Sequence, residues 1–370
     1  MNKTAILYIS DSLKQRFGVT SVIMNYFRNI DKSQIQIDFL VFEDSEKEII
    51  DEIKLSGSSV YFMPKVSVKN MFKVISFFKK FFSKNRNYKI VHSHFNQIDM
   101  LVFPIAKRFG VKHCISHSHN TKYSDYKLRA IRNWLMCLPL KYIADTWAAC
   151  GVEAGKFLYG KNFMKSSKHL IINNAINIDK FKYDKHLREI KRKELKINDE
   201  ILIGNVGSCK KQKNQEYLLY VFSELLKKKN PNISYKLLIV GDGELRLYLQ
   251  NLAEKLGISD KVLFLGVRKD ISELLQAMDI FMLPSLYEGL PVIGVESQAV
   301  SLPCLFSTSI TREIDIFNAK FIDLDNVEKW VEEIINLNFD NRENNSDSLI
   351  SKGFSIRHEA VKLLNFYNNI

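Results

Sequence analysis

The sequence predicts an α/β protein built from two doubly wound, Rossmann-like domains. Three observations carry this expectation. Short apolar runs alternate with helical patterns through the first half of the 370-residue chain, the rhythm restarts near residue 200, and a polar, charged segment lies between. Alternation of this kind makes a parallel sheet covered by helices. A chain of this length supports two cores of ordinary size.

In the first half, TAILYIS, IQIDFLVF, SVYFMP, KIVHSHF and HCISHS read as strands, with SVIMNYFRNI and MLVFPIAKRFG as helices among them. The second half opens with EILIGNVGS. It continues through QEYLLYVFSELLKKK, KLLIVGDG, ELRLYLQNLAEKLG, KVLFLG, DISELLQAM and DIFMLPS. Residues 173–199, NNAINIDKFKYDKHLREIKRKELKIND, show no clear strand and are expected to link the domains. SIRHEAVKLLNFY is an isolated amphipathic helix at the end. The expected division is 1–185, 186–352, and a last helix in 353–370 that packs back on the N-terminal domain. Two such domains facing across a crevice would hold ligands at the carboxyl ends of their strands.

Apolar residues make up 46% and charged residues 26%, as in a soluble globular protein. The opening MNKTAILYISDS resembles a secretory leader only briefly. Its apolar run ends at Asp11 and no small-residue cleavage site follows, so a first strand is expected. No run of about 18 apolar residues suggests a membrane span. Cys114, Cys137, Cys150, Cys209 and Cys304 are scattered singly, which points to a reducing cytosol and buried thiols rather than disulfides or zinc. The net charge of +13 is one-sided: residues 1–180 carry +14 and residues 181–370 carry −1. An anionic partner for the first half is expected. Residues 70–89, NMFKVISFFKKFFSKNRNYK, place phenylalanines at helical spacing among lysines. That pattern suits a core helix with solvated lysines, or a helix lying on an anionic bilayer.

The chemistry concentrates at residues 284–298, PSLYEGLPVIGVESQ. Pro284 ends a strand, a helix should start near Pro291, and the N–H groups of Gly289, Leu290 and the first helical turn form an anion site. Glu296, within that helix, can accept hydrogen bonds from two vicinal ribose hydroxyls, and Glu288 in the loop can meet those of a sugar. The plainer reading is a carboxylate favoured by the helix dipole and a solvated helix residue. Three glycine turns add weight. Gly207 in VGSCKKQKN lets backbone approach a phosphate, with Lys213 to neutralise it, Gly241 lies in VGDGELR, and Gly18 precedes the first helix. VGDGELR lacks the third glycine of a dinucleotide fingerprint, since Arg246 stands there. A nicotinamide-dependent oxidoreductase would need that fingerprint early in the chain, and no nucleic-acid-reading motif is present.

The Glu288-to-Glu296 spacing resembles the E-x7-E motif of GT-B glycosyltransferases of family 4, the retaining, nucleotide-sugar-dependent class, and of its exopolysaccharide and capsule members in particular. SQAVSLPCLFSTSITREIDI, FLGVRKDISELLQAMDIFMLPS, IVGDGELR, KIVHSHFN, ISHSHNTK and NNAINIDKF also resemble that family, over nearly the whole chain. The resemblance implies that Lys213 holds the donor diphosphate, Glu296 the ribose, and Glu288 the transferred sugar, with backbone contacts from Gly289 and Leu290. It implies that His117 sits beside that sugar, with His119 as alternative. The five histidines 92, 94, 113, 117 and 119 then reflect the family's strand pattern rather than a metal site, and no metal or other cofactor is expected. Asp323-Leu-Asp325 is expected to be a loop.

Two positions depart from the family. Ser208 replaces an arginine, which leaves the diphosphate more to Lys213, helped by Lys210 or Lys211, and Ser301 replaces a glycine. The expected reaction moves a hexosyl unit from a UDP-sugar to a lipid-linked or oligosaccharide acceptor. The expected place is the cytoplasm, at the inner, anionic membrane face. The alternative is a non-catalytic GT-B subunit of a glycosyltransferase complex.

Overall fold

The computed structural model describes residues 3–370 except 16, 68–69, 229–232, 318, 339–341 and 343. The chain divides into two compact units, Met1–Asn174 with Ile356–Ile370, and Ala175–Ser355.

The first unit holds β1 (Thr4–Ile9), α1 (Gly18–Asn29), β2 (Ile35–Phe42), α2 (Lys47–Leu55), β3 (Val60–Met63), α3 (Met71–Lys84), β4 (Ile90–Ser93), α4 (Asn96–Arg108), β5 (His113–Ser118), α5 (Lys127–Cys137), α6 (Leu140–Ile143), β6 (Thr146–Ala149), α7 (Val152–Tyr159) and β7 (His169–Ile171). Its seven strands run parallel in the order β3-β2-β1-β4-β5-β6-β7. β1 and β3 are near-continuous apolar runs, as expected of a parallel sheet, whereas β4 and β5 carry serines and histidines. In α3, Val74, Phe78, Phe81 and Phe82 are buried, so these aromatics serve the core, and of the phenylalanines only Phe72 projects fully into solvent.

The second unit holds α8 (Lys185–Glu194), β8 (Ile201–Val206), α9 (Gln215–Lys227), β9 (Tyr235–Val240), α10 (Arg246–Lys255), β10 (Val262–Gly266), α11 (Ile271–Ala277), β11 (Ile280–Leu283), α12 (Val292–Ala299), β12 (Cys304–Ser307), β13 (Lys320–Ile322), α13 (Val327–Ile335) and α14 (Ser346–Ser351). Its strands are parallel in the order β10-β9-β8-β11-β12-β13. The last helix, α15 (Ile356–Asn368), belongs to the first unit, where it packs on α1.

The strand order reverses between β1 and β4 in one sheet and between β8 and β11 in the other. At such a point successive connections leave on opposite faces, and the strand ends open a crevice for ligands. The polar sequence motifs of each half fall there or on the next strand. All five cysteines are free and buried.

The structure departs from the sequence expectation in the segment 173–199. The units part between Asn174 and Ala175, and most of the segment beyond that point is folded. A 3₁₀ turn at Ile178–Phe181 packs on α12. Helix α8 docks through charge. Arg188 and Arg192 reach the two carboxylate oxygens of Asp279 at 2.5 and 2.9 Å, and Arg188 also donates to the carbonyls of Gln276, Ala277 and Met278 at the end of α11. Helix α8 has only two apolar residues, Leu187 and Ile190, so its sequence reads as a linker. Strands β6, β7, β12 and β13 have three or four residues each, too short for a periodic signal.

Helix α12 ends in a Schellman turn. Leu302 N–H donates to the Ser297 carbonyl and Ser301 N–H to that of Gln298, which puts Ser301 at φ 57°. This is the position where glycine costs least. Ser301→Gly is therefore expected to hold or raise the melting temperature, whereas Ser301→Val should cost about 1–2 kcal/mol. Thermal unfolding of the two variants checks both.

Candidate functional site

The loops after β8 and β11 are joined side chain by side chain. Leu286 N–H donates to the Gln212 carbonyl, the Gln212 amide donates to Tyr287 O at 3.0 Å, and the Asn214 amide donates to Pro284 O at 3.1 Å. Between them lies an ion pair: Lys213 Nζ is 2.6 Å from Glu288 Oε1. Ser285 Oγ donates to the same oxygen at 2.9 Å, and Gln212 Nε2 to the other at 3.3 Å. The lysine enters from a 3₁₀ turn ahead of α9, where Asn214 takes a left-handed φ of 53°. Its aliphatic stem lies across Gly207, where an added Cβ would be 3.2 Å from Lys213 Cε. Gly207 thus allows the lysine to reach the glutamate.

Gly241, at φ 133°, packs so closely on the Gly207 carbonyl that a side chain there would collide with backbone. Its structural duty is to hold the ends of β8 and β9 together. Ser208, between the two loops, offers its carbonyl to Gln215 Nε2 at 3.2 Å. Gly289 and Leu290 are buried in the turn that leads through Pro291 into α12.

Glu296 lies in α12 and is half-buried. Among the described residues its carboxylate has no hydrogen-bond partner. Burial pushes its pKa up to about 7, against the opposing pull of Lys180 in the 3₁₀ turn packed on α12. Lys180 stands in NNAINIDKF, a stretch matched at the sequence level without a role for the lysine. Glu288 and Glu296 therefore differ in surroundings: one faces a cation at 2.6 Å, and the other has burial opposing its charge. Asp323 and Asp325 lie in a turn after β13.

In the first unit, Gly18 opens α1 with free space where a Cβ would stand. His92, His94, His117 and His119 cluster at the ends of β4 and β5. The rings of His117 and His119 stack at 4.1 Å between centroids, and those of His92 and His94 at 4.4 Å. His113 is not part of the group; it sits at the start of β5, 2.8 Å from Thr146 Oγ1. Burial, with the neighbouring imidazoles, holds His92, His94 and His117 well below the usual histidine pKa, and burial takes His119 down to about 3. All four are neutral at pH 7. One nitrogen each of His92, His94 and His117 lies within 4.8 Å of the others. The His92 and His94 rings are stacked, whereas His92 and His117 meet edge to edge, with His92 Nε2 3.2 Å from His117 Nδ1. His117 Nε2 is buried and has no hydrogen-bond partner among the described residues.

Residues 187–352 match the family model of glycosyl transferases group 1. A protein named as glycosyltransferase EpsF, from Bacillus subtilis, is 30% identical over 362 residues, 95% of this chain and 94% of that one. The chain belongs to the group 1 glycosyltransferases. An Escherichia coli relative, named UDP-Gal:alpha-D-GlcNAc-diphosphoundecaprenol alpha-1,3-galactosyltransferase, is 27% identical over 95% of this chain and 93% of its own. Among solved structures, Anabaena HepE in complex with UDP and glucose superposes with a TM-score of 0.78 at 15% identity, over 99% of each chain. With the two Rossmann-like units, that likeness gives the GT-B glycosyltransferase fold.

The group 1 site leads to two expected outcomes. Lys213→Ala strands a buried carboxylate and should cost about 3 kcal/mol, and adding Glu288→Gln should restore part of that. A double-mutant cycle in denaturant measures the coupling. The raised pKa of Glu296 means that the folded state binds the proton more tightly than the unfolded one. Its contribution to stability is full below the ordinary glutamate pKa and is lost as pH rises through about 7. Glu296→Gln should therefore melt higher than the native protein at pH 8 and lose that advantage by pH 5; the difference between the two melting curves isolates this residue.

Proposed function

We propose that this group 1 glycosyltransferase is a retaining enzyme that moves a hexosyl unit from a UDP-sugar to a lipid-linked surface-polysaccharide acceptor. The observation that carries the reading is the convergence of Gly207, Lys213, Glu288 and the α12 segment at the reversal of the second sheet. Support for uridine comes from the E. coli relative, which uses UDP-Gal by name, and from the HepE complexes.

On this reading Lys213 trades Glu288 for the donor diphosphate, and the helix N-terminal amides at Leu290 and Val292 stabilise the charge that develops there. Glu288, once released, takes hydroxyls of the transferred sugar. The ionised Glu296 accepts from two ribose hydroxyls. The acceptor oxygen bonds to C1 on the face from which the diphosphate leaves, and the acceptor's proton passes to the leaving diphosphate. His117 meets the sugar through Nε2. No metal is needed for this charge balance. The reading as a non-catalytic subunit rests on Ser208 in the arginine position.

The acceptor side of the proposal draws on α5 and α6. Tyr126, Leu128, Ile131, Trp134, Leu135, Leu138 and Tyr142 are exposed there, Leu128 by 83%. Lys127, Arg129, Arg132 and Lys141 stand among them, and residues 126–144 contain no acidic side chain. Apolar side chains amid cations suit an anionic bilayer, with the aromatics at headgroup level. No helix among the described residues is long and apolar enough to cross a membrane.

Thermal shift against UDP-, GDP- and dTDP-sugars tests the donor. Stabilisation by the uridine class, lost in Glu296→Ala, is expected; no shift with any nucleotide would favour the subunit reading. Flotation tests the surface: native protein should rise with anionic vesicles and not with neutral ones. Leu128→Asp with Trp134→Asp should remain in the bottom fraction with both.

A further inference from the structure

Four buried groups from four separate elements form one hydrogen-bonded line in the first unit. The Tyr8 hydroxyl, on β1, is 2.7 Å from that of Tyr367 on α15. The Tyr367 hydroxyl is 2.6 Å from His92 Nδ1 on β4, and His92 Nε2 is 3.2 Å from His117 Nδ1 on β5. The line ends at His117 Nε2, which has no partner among the described residues. Each of the four residues is 1% exposed or less.

The line can be polarised in only two continuous ways. Burial keeps both imidazoles neutral and both phenols protonated. Each neutral imidazole then carries one N–H and each phenol one O–H, four protons for three links. The fourth proton stands at one end, since an outward Tyr367 O–H, the one other place for it, has no further acceptor among the described residues. If each group donates toward His117, that proton is His117 Nε2–H. If each donates toward Tyr8, it is the Tyr8 O–H, and His117 Nε2 is a bare lone pair.

The ends are not equivalent. Among the described residues the Tyr8 hydroxyl has no hydrogen-bond partner other than Tyr367. The second arrangement therefore orphans a buried donor at Tyr8 and a buried acceptor at His117. The first leaves His117 Nε2–H and the Tyr8 oxygen, a far weaker acceptor than an imidazole nitrogen, and a ligand oxygen placed at Nε2 satisfies its one unpaired donor. Both arrangements leave one buried donor unpaired, so the choice rests on the acceptor left over and on which donor a ligand oxygen can satisfy.

We infer that Tyr367, reaching from the C-terminal helix through His92, is a positioning residue that holds His117 as its Nε2–H tautomer, so that this histidine offers a hydrogen bond to an oxygen of the ligand. The consequence for turnover rests on the proposed role of His117 beside the transferred sugar. The tautomer itself does not, and it can be read without any substrate.

The test is the imidazole nitrogen spectrum of the full chain labelled with 15N-histidine, with His117 assigned by the signals lost in His117→Gln. The native protein should show a pyrrole-type Nε2 and a pyridine-type Nδ1 at His117. Tyr367→Phe should mix or reverse the two. Tyr8→Phe also removes one hydroxyl of the same buried pair, but it leaves the Tyr367 donation in place and should preserve the native pattern. In transfer or donor-hydrolysis assays, Tyr367→Phe should lower kcat several-fold with little change in the donor KM, and Tyr8→Phe should stay near native. A pyridine-type Nε2 in the native protein would overturn the inference. So would matching His117 spectra for the two phenylalanine variants, since a packing role alone would make them alike. A correct spectrum in a protein that binds no nucleotide sugar would retain the tautomer and sink the donor reading instead.

Discussion

The polar clusters at the strand ends of the two units are placed by one constraint: both sheets are parallel, and the strand order reverses at one point in each. A strand buried on both sides cannot carry charge along its length without large desolvation costs. Charge collects where strands end. Where the strand order reverses, the neighbouring loops diverge to opposite faces and leave room between them. In the second unit the loops after β8 and β11 meet at that point, and Gln212, Lys213 and Asn214 tie them together. In the first unit β4 brings His92 and His94 to the reversal, and β5 sets His117 and His119 beside them.

The two glutamates of the E-x7-E motif show how place governs electrostatics. Glu288 is buried with a lysine and a serine hydroxyl on the same oxygen, so its charge is already answered. Glu296 has only the opposing influence of Lys180, and burial dominates. On the proposed reading a donor diphosphate competes for Lys213 and a ribose brings donors for Glu296. Glu288 is paired within the protein, whereas the Glu296 carboxylate has no hydrogen-bond partner among the described residues.

The C-terminal helix has a similar double duty. It leaves the second unit at Ile356 and completes the first, where Asn368 pairs with Gln34 and Tyr367 joins Tyr8 and His92. A helix that seals a core also sets the hydrogen-bonding state of a histidine on β5, through a second histidine on β4. Its amphipathic pattern accounts for the sealing alone.

By itself the sequence determined the fold class and the restart of the strand rhythm, and it singled out residues that the fold brings together in the second unit. These rest on local signals: apolar periodicity, glycines at strand-to-helix turns, and two glutamates at a defined spacing. It also singled out His117, through a recurrent H-x-H pattern. The tertiary structure alone decided the pairings. That Lys213 meets Glu288 across 75 positions, that Asp279 anchors a helix which reads as a linker, and that Tyr367 touches a histidine 275 positions earlier are facts of topology. It also decided which aromatics are buried. The phenylalanines of α3 and the apolar side chains of α5 look alike as residues, yet the first fill a core and the second face solvent. The physical reason is the same throughout. Periodicity reports which side of an element is apolar, but which neighbour that side meets is set by strand order, and strand order is settled only when the whole sheet closes around one core.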